Sequence, residues 1–531
     1  MICYLQFNWK HRVLRDGAIL VAILFLVGCA SLTLPSPTAP PKGGGGEFRV
    51  ALAVEPLGLN PDLRTDDAAF VVSQSIYNKL VTLDADYRVI PDLAETWEAS
   101  DDGLTYRFNL AKNVKWHDGK PFTSADVKWT FEALAQGGRA QDTAGRVAKI
   151  ETPDAATVVV RLKETWSPFI PTLGWYGTFI LPQHLFEGSD WERNPVNDKP
   201  VGTGPFKFIE WVKGDHITLE ANRDFFRRGP FLDKVIYRFP KDSAAAAEQL
   251  LKGEMDYSYA RPAVERIPEL QQAPGLQVKT FPHPARYYVG FNLRRKPFDD
   301  LRVRQAINMA INRSALVDRA MLGYGAPGLG FYTPAIPWVY NPQAHVPAFD
   351  AAGAEKLLDE AGVKRGADGT RLKLTLVTFT VSPFKEIAQA LPEQLRSVGI
   401  EANVVVLTTT DWNKCVFQDY DFDLALADGS HGPDPEQLNF RFGSKGGYQF
   451  MGYSSAEFDA ATAAGARQMK LQDRAKAYFR AQEILARDLP IAPLAENVQF
   501  IVYRDGVTGL PQVEGRGLVT FQDFSLVRVK K

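Results

Sequence analysis

Cysteine is nearly absent from the chain, with three in 531 residues, at positions 3, 29 and 415. Cys3 falls in a leader and Cys29 has another use, so Cys415 stands alone. That excludes an intramolecular disulfide framework and makes the core responsible for stability. As a lone thiol, Cys415 reads as a small packed residue. Excess charge of one sign is lacking too. Lys and Arg number 61 against 62 Asp and Glu, a net charge of −1. Surfaces that track phosphates carry a basic excess, so nucleic acid is excluded as the main partner. After residue 30 no apolar run approaches the about 20 residues that span a bilayer. The seven histidines, at positions 11, 117, 184, 216, 283, 345 and 431, never cluster. No HExxH or Cys/His ligand set exists, which excludes a sequence-local zinc site.

Catalytic fingerprints are missing as well. Gly119-Lys120 runs into Pro121 and forms no phosphate loop, and Gly202-Thr203-Gly204 lacks the third glycine of a dinucleotide turn. Asp428 stands where a nucleophile elbow around Ser430 needs glycine. Asp419, Asp421 and Asp423 imitate the start of a calcium loop, but Leu424 takes the place of its turn glycine and Ser430 that of its bidentate Glu. Their alternation with Tyr420, Phe422 and Leu424 reads as the polar face of a strand. Paired carboxylates of a glycosidase would meet in space, and no pair is singled out here. No residue set supports an enzyme, and no cofactor or metal is expected.

What is present begins with the leader. Lys10, Arg12 and Arg15 precede the apolar stretch 18–27, which is too short to cross a membrane and reads as a secretory signal. Leu26-Val27-Gly28-Cys29 resembles the lipobox of bacterial lipoproteins. That resemblance makes 1–28 a signal peptide and Cys29 the lipidated residue, the alternative being an ordinary signal with an incidental cysteine. More than one acyl chain would anchor the protein stably. Residues 29–46, rich in Pro and then Gly, read as a tether, stiff first and flexible after.

About 150 residues per domain makes this a chain of three to four domains. Apolar spacing at Ala354, Leu357, Leu358 and Ala361 predicts a helix closed by Gly362. Leu372, Leu374 and Leu376 alternate as in a strand. A second helix ends near Leu395 and Val398 and is started or kinked by Pro392, and Ile400, Ala402, Val404 and Val406 alternate again. This order predicts an α/β domain. Val303, Ala306, Ile307, Ala310 and Ile311 predict a further helix capped by Asp299 or Asp300.

Residues 91–134, PDLAETWEASDDGLTYRFNLAKNVKWHDGKPFTSADVKWTFEAL, closely resemble the signature region of the extracellular solute-binding proteins of family 5. These are the dipeptide-, oligopeptide- and nickel-binding receptors of ABC importers. Residues 76–80, 202–206, 221–226, 292–312, 350–363 and 394–404 extend the likeness in the family's order. The resemblance implies an α/β bilobal periplasmic-binding-protein fold with an inserted α/β domain. Lobe I would comprise 47–85, 200–285 and 496–531, the inserted domain 86–199, and lobe II 286–495. The chain would cross between lobes near 285–292 and 493–498. It also implies a lipid-anchored monomer on the outer face of the cytoplasmic membrane or in the periplasm. Such a receptor captures a small solute, a di- or oligopeptide first, and delivers it to the ABC permease and ATPase complex. An oligosaccharide, an opine-like compound or a nickel chelate is the alternative cargo, and a secreted hydrolase the remote alternative.

Seven ligand-binding candidates follow. Thr65, Asp66 and Asp67 occupy the part of residues 60–68 that meets the peptide in relatives, or else form a solvated acidic turn. Thr123 and Asp126 resemble a capping box, and Val127, Phe131 and Leu134 form one helical face. Trp129 lies off that face, where it lines a cleft or packs on a neighbouring domain. In residues 428–436 peptide-binding relatives hold the ligand ammonium with a buried Asp. With Asp434-Pro435 set on the family's acidic-Pro pair, His431 falls where that Asp belongs. Either Asp428 or Asp434 takes over the role, or the ligand has no free amino end. Gly202-Thr203-Gly204-Pro205-Phe206 is expected to turn the chain tightly back into lobe I.

Overall fold

Two strands far longer than the usual five or six residues organise the chain. They are Leu276–Phe291 and Ile491–Arg504 in a computed structural model of the protein. The structure describes residues 45–530 apart from 64–65, 176–177, 261, 431, 512 and 514–522. The signal peptide, Cys29, the tether to residue 44, Thr65 and His431 therefore lie outside the described residues. Among those described, no helix is long and apolar enough to cross a membrane.

The long strands pair antiparallel from Leu276 against Arg504 to Gly290 against Ile491. The first part of the pair continues through Tyr257–Ser258, Glu47–Ala51, Lys234–Arg238, His216–Ala221 and Phe206–Val212. On the other side Leu424–Ser430 joins Leu276–Phe291 from Ala285 onward, followed by Leu372–Phe379 and Ile400–Leu407. One sheet thus serves two halves, and only the long strands run through both. Their ladder shifts register between Pro282 and Arg286. Pro282 and Pro284 have no N–H to give the ladder, so the interruption falls between the halves.

Each half has its own core. Phe48, Val50, Ile217, Leu219 and Tyr237 bury one face of the first. In the second, Val289, Leu376, Leu391 and Leu424 fill one face of the sheet, and Tyr332, Ala425, Phe450 and Ile484 fill the other. A separate antiparallel sheet, Ala94–Ala99, Thr105–Leu110, Thr157–Leu162 and Val147–Asp154, carries the helix Ser124–Gln136. Val127, Phe131 and Leu134 are buried in its core. Thr123 Oγ1 accepts from the Ala125 N–H, and Asp126 accepts from the Thr123 N–H at 2.8 Å, completing the expected box.

The helices at Leu301–Ala310 and Ala351–Glu360 match their apolar spacing. Asp300 is the cap of the first, and Gly362 follows the second at φ +79°. Leu372–Phe379 and Ile400–Leu407 are parallel neighbours, as a strand–helix–strand unit requires. Pro392 does not start its helix, which begins at Phe384 and runs through it to Ser397. Asp419, Asp421 and Asp423 are not a strand face either, because the strand begins at Leu424. Arg295 pairs with Asp421 and Asp423, and Lys414 pairs with Asp419. Lys414–Asp419 is helical and Tyr420 leaves it in the left-handed conformation at φ +51°, so the alternating run ends before the ladder begins.

Gly202 and Gly204 explain their own identity. A Cβ on Gly202 would lie 1.8 Å from the Ile76 carbonyl oxygen, and one on Gly204 2.6 Å from the Ile76 carbonyl carbon. The turn is pinned by the His117 ring, whose Nδ1 accepts from the Gly202 N–H at 3.2 Å while Nε2 donates to the Gly204 carbonyl at 3.0 Å. Burial pulls the His117 pKa from 6.5 down to about 4. Between those values the unfolded ring binds a proton that the folded ring refuses, so folding stability falls as pH drops from about 6.5 to about 4. His117→Gln should flatten that part of a melting-temperature-against-pH curve. An unchanged slope would show that the ring is not held neutral.

Candidate functional site

Two cavities meet at the interrupted part of the long strands. The larger, about 730 Å³, takes its wall from residues 85–89, 171 and 175, from 281–283 and 499 of the long strands, and from 335–338, 433–434, 471 and 474. The second, about 660 Å³, is bounded by residues 52–54, 67–68 and 259 on one side and by Thr409 and Asp428 on the other. His283 and Gln499 belong to both, so the cavities adjoin.

Rings and prolines make up nearly half of the larger cavity's wall. Tyr87 and Trp175 lie 6.3 Å apart between centroids, and Phe281 and Trp338 complete the aromatic lining. Trp175 is held through its backbone. The buried Lys79 ammonium donates to the carbonyls of Gly174 at 2.9 Å and Trp175 at 3.2 Å. Burial pulls Lys79 down to about 7, with Asp92 opposing that shift.

The opposite wall is fixed by charge. Arg474 Nη2 donates to both oxygens of Asp434, at 2.8 and 2.7 Å, with both side chains 6% exposed. Asp434 also accepts from the Glu436 N–H at 3.0 Å. One turn beyond Arg474, on the same helix face, Tyr478 donates to Glu436 at 3.1 Å. Burial lifts the Glu436 carboxyl to about 7. Helix Leu471–Asp488 therefore grips the 434–436 loop at two points.

Asp434 lines the larger cavity, and its carboxylate is already committed to Arg474. Asp67 and Asp428 line the second cavity from opposite sides. Asp66 caps the helix Asp67–Ile76, accepting from the Ala69 N–H at 2.8 Å. Trp129 stacks on Phe186 at 5.5 Å, packs against the first half's core and appears in neither cavity wall. Thr65 and His431 cannot be placed among the described residues. Sequence reasoning missed Tyr87, Trp175, Phe281, Trp338 and Arg474. The prolines at 171, 282, 337 and 433 beside these walls were the available signal.

The family described as "Bacterial extracellular solute-binding proteins, family 5 Middle" matches residues 88–450. The chain is 29% identical over 532 residues to the oligopeptide-binding protein AppA of Bacillus subtilis, covering 95% of each chain. It is 32% identical over 430 residues to a putative ABC transporter peptide-binding protein of Brucella ovis, covering 77% of this chain and 79% of that one. The solved structure of Bacillus subtilis AppA, in complex with a nonapeptide, superposes with a TM-score of 0.79 at 28% identity, over 93% of this chain and all of that one.

Breaking the Asp434–Arg474 pair would leave a guanidinium buried without its counter-charge. Removing one partner of such a pair typically costs roughly 3–5 kcal/mol. Asp434→Asn should lower unfolding free energy by that order, read from urea denaturation. A change well under 1 kcal/mol would mean the pair contributes nothing to the wall.

Proposed function

The chain belongs to the bacterial extracellular solute-binding proteins of family 5, and on that premise we propose that it receives a peptide-like solute between two closing lobes for an ABC importer. The observation that carries this reading is the pair of adjoining cavities at the interrupted long strands, with walls drawn from both halves of the sheet. Lobe I is 47–85, 200–285 and 496–531, the inserted domain 86–199, and lobe II 286–495. The hinge consists of the two crossings in Leu276–Phe291 and Ile491–Arg504. Movement there opens the cavities, and closure buries the solute and presents both lobes to the permease. The protein acts as a monomer, exported by the 1–28 signal and tethered by lipid on Cys29 through 29–46.

A peptide is favoured by the company the chain keeps: Bacillus AppA was solved with a nonapeptide and a Helicobacter pylori DppA with the peptide STSA. The commitment of Asp434 to Arg474 favours a second reading, a solute without a free amino end at that point.

Native mass spectrometry of the soluble protein from residue 47, refolded and offered an equimolar tripeptide mixture, tests the cargo. Stoichiometric retention of peptide masses is expected. Retention of none, with a non-peptide mass in protein purified without refolding, would overturn the peptide reading. For anchoring, Cys29→Ser should abolish labelling of the full chain by radioactive palmitate. Labelling at the wild-type level would contradict it.

A further inference from the structure

The turn at residues 84–88 is built against its own backbone preference. Asp84 accepts through its side chain from the N–H groups of Asp86 and Arg88, each at 2.9 Å, and the Tyr87 N–H donates to the Asp84 carbonyl at 3.1 Å. This places Tyr87 at φ +63°, a left-handed conformation that glycine or asparagine adopts readily and a large side chain at a cost. The turn geometry alone therefore asks for a different residue. Backbone strain of this kind gathers at ligand clamps.

What the strain delivers is a ring in the wall of the larger cavity. Tyr87 packs on Trp175 and also borders the cluster that contains Tyr332 and Trp338. Phe281 adds a ring from the long strand. The charged Asp and Arg side chains of this wall are already matched, Asp86 with Arg88 at 3.3 Å and Asp434 with Arg474 at 2.7 Å. The Arg474 guanidinium also lies 5.5 Å from the Trp338 ring centre. The cavity thus offers aromatic faces rather than an unmatched charge.

We propose that Tyr87 is a specificity-determining residue which, with Trp175, Phe281 and Trp338, receives an aromatic side chain of the solute. The proposal rests on the larger cavity being the solute site. Aromatic pairs gain from edge and face contacts beyond the area they bury, so the preference for a ring over a methyl group is expected at about tenfold.

The test uses N-acetyl-tryptophanamide and N-acetyl-alaninamide, which have neither a free amino end nor a second residue. Their affinities are measured by NMR titration for wild type, Tyr87→Phe, Tyr87→Gly and Tyr87→Asn, with melting curves alongside. Gly and Asn both adopt the left-handed turn, so at least one of them should keep the wild-type melting temperature within a few degrees. The expected result is about tenfold tighter binding of the tryptophan probe by wild type and Tyr87→Phe, with most of that preference lost in the folded Gly or Asn variant. No preference in wild type, or an undiminished preference in a folded Gly or Asn variant, overturns the proposal. These outcomes do not depend on whether tripeptides bind, so the cargo reading fails or stands separately.

Discussion

Arg286 and Glu496 face each other across the two long strands, and the rest of the cleft depends on that pair. They are ladder partners at the first position after the register shift that follows Pro282. Arg286 is almost wholly buried. Its Nη2 holds Glu496 and donates to the Tyr332 carbonyl at 2.6 Å, while its Nη1 donates to the Gly330 carbonyl. Burial raises the Glu496 carboxyl and the Arg286 charge opposes it. A pair of this kind adds little net stability against an apolar replacement, but removal of either partner strands a buried charge. Its contribution is positional. It restarts the ladder where two prolines have broken it, and it ties the segment carrying Tyr332 to the strands that run through both halves.

From that fixed point the two cavities follow. His283 and Gln499 lie in the interrupted stretch and belong to both walls. Residues 85–89, 171 and 175 approach from the side of the inserted sheet, and 335–338, 433–434, 471 and 474 from the second half. The inserted sheet touches the second half directly as well. The N–H and Oγ of Ser167 both donate to the Ala466 carbonyl, at 2.8 and 3.1 Å, and Ala466 and Met469 join the inserted sheet's core. On the proposed hinge, opening at the long strands would have to break these contacts. The arrangement described therefore has contacts between the inserted sheet and the second half that need no solute.

Much of this was legible in the chain before the fold was known. Helical spacing placed Leu301–Ala310 and Ala351–Glu360 because those helices present one apolar face to one core. The capping box at Thr123 was readable because capping is local, and the structural role of Gly202 and Gly204 is explained by the close approach of Ile76. The candidate site was less legible, since its walls come from segments hundreds of residues apart. Asp434 could be named, but its partner Arg474 is forty residues away on another helix, and only the fold reveals that the carboxylate is matched. Tyr87 gave no sign of its strain, because a turn of the Asp-x-Asp kind reads as solvated. The acidic run 419–423 misled for the complementary reason: alternation implies a strand only when the backbone is extended, and here it is helical to Asp419 and left-handed at Tyr420.

If the long strands are a hinge, the cavities close when solute binds. Small-angle X-ray scattering of the soluble protein, emptied by refolding and then saturated with the solute recovered by native mass spectrometry, tests this most directly. A smaller radius of gyration on saturation, with a scattering profile approaching that calculated from the arrangement described here, is the predicted result. Identical profiles for emptied protein lacking solute and for protein shown by mass to be fully occupied would show that the lobes do not close on solute.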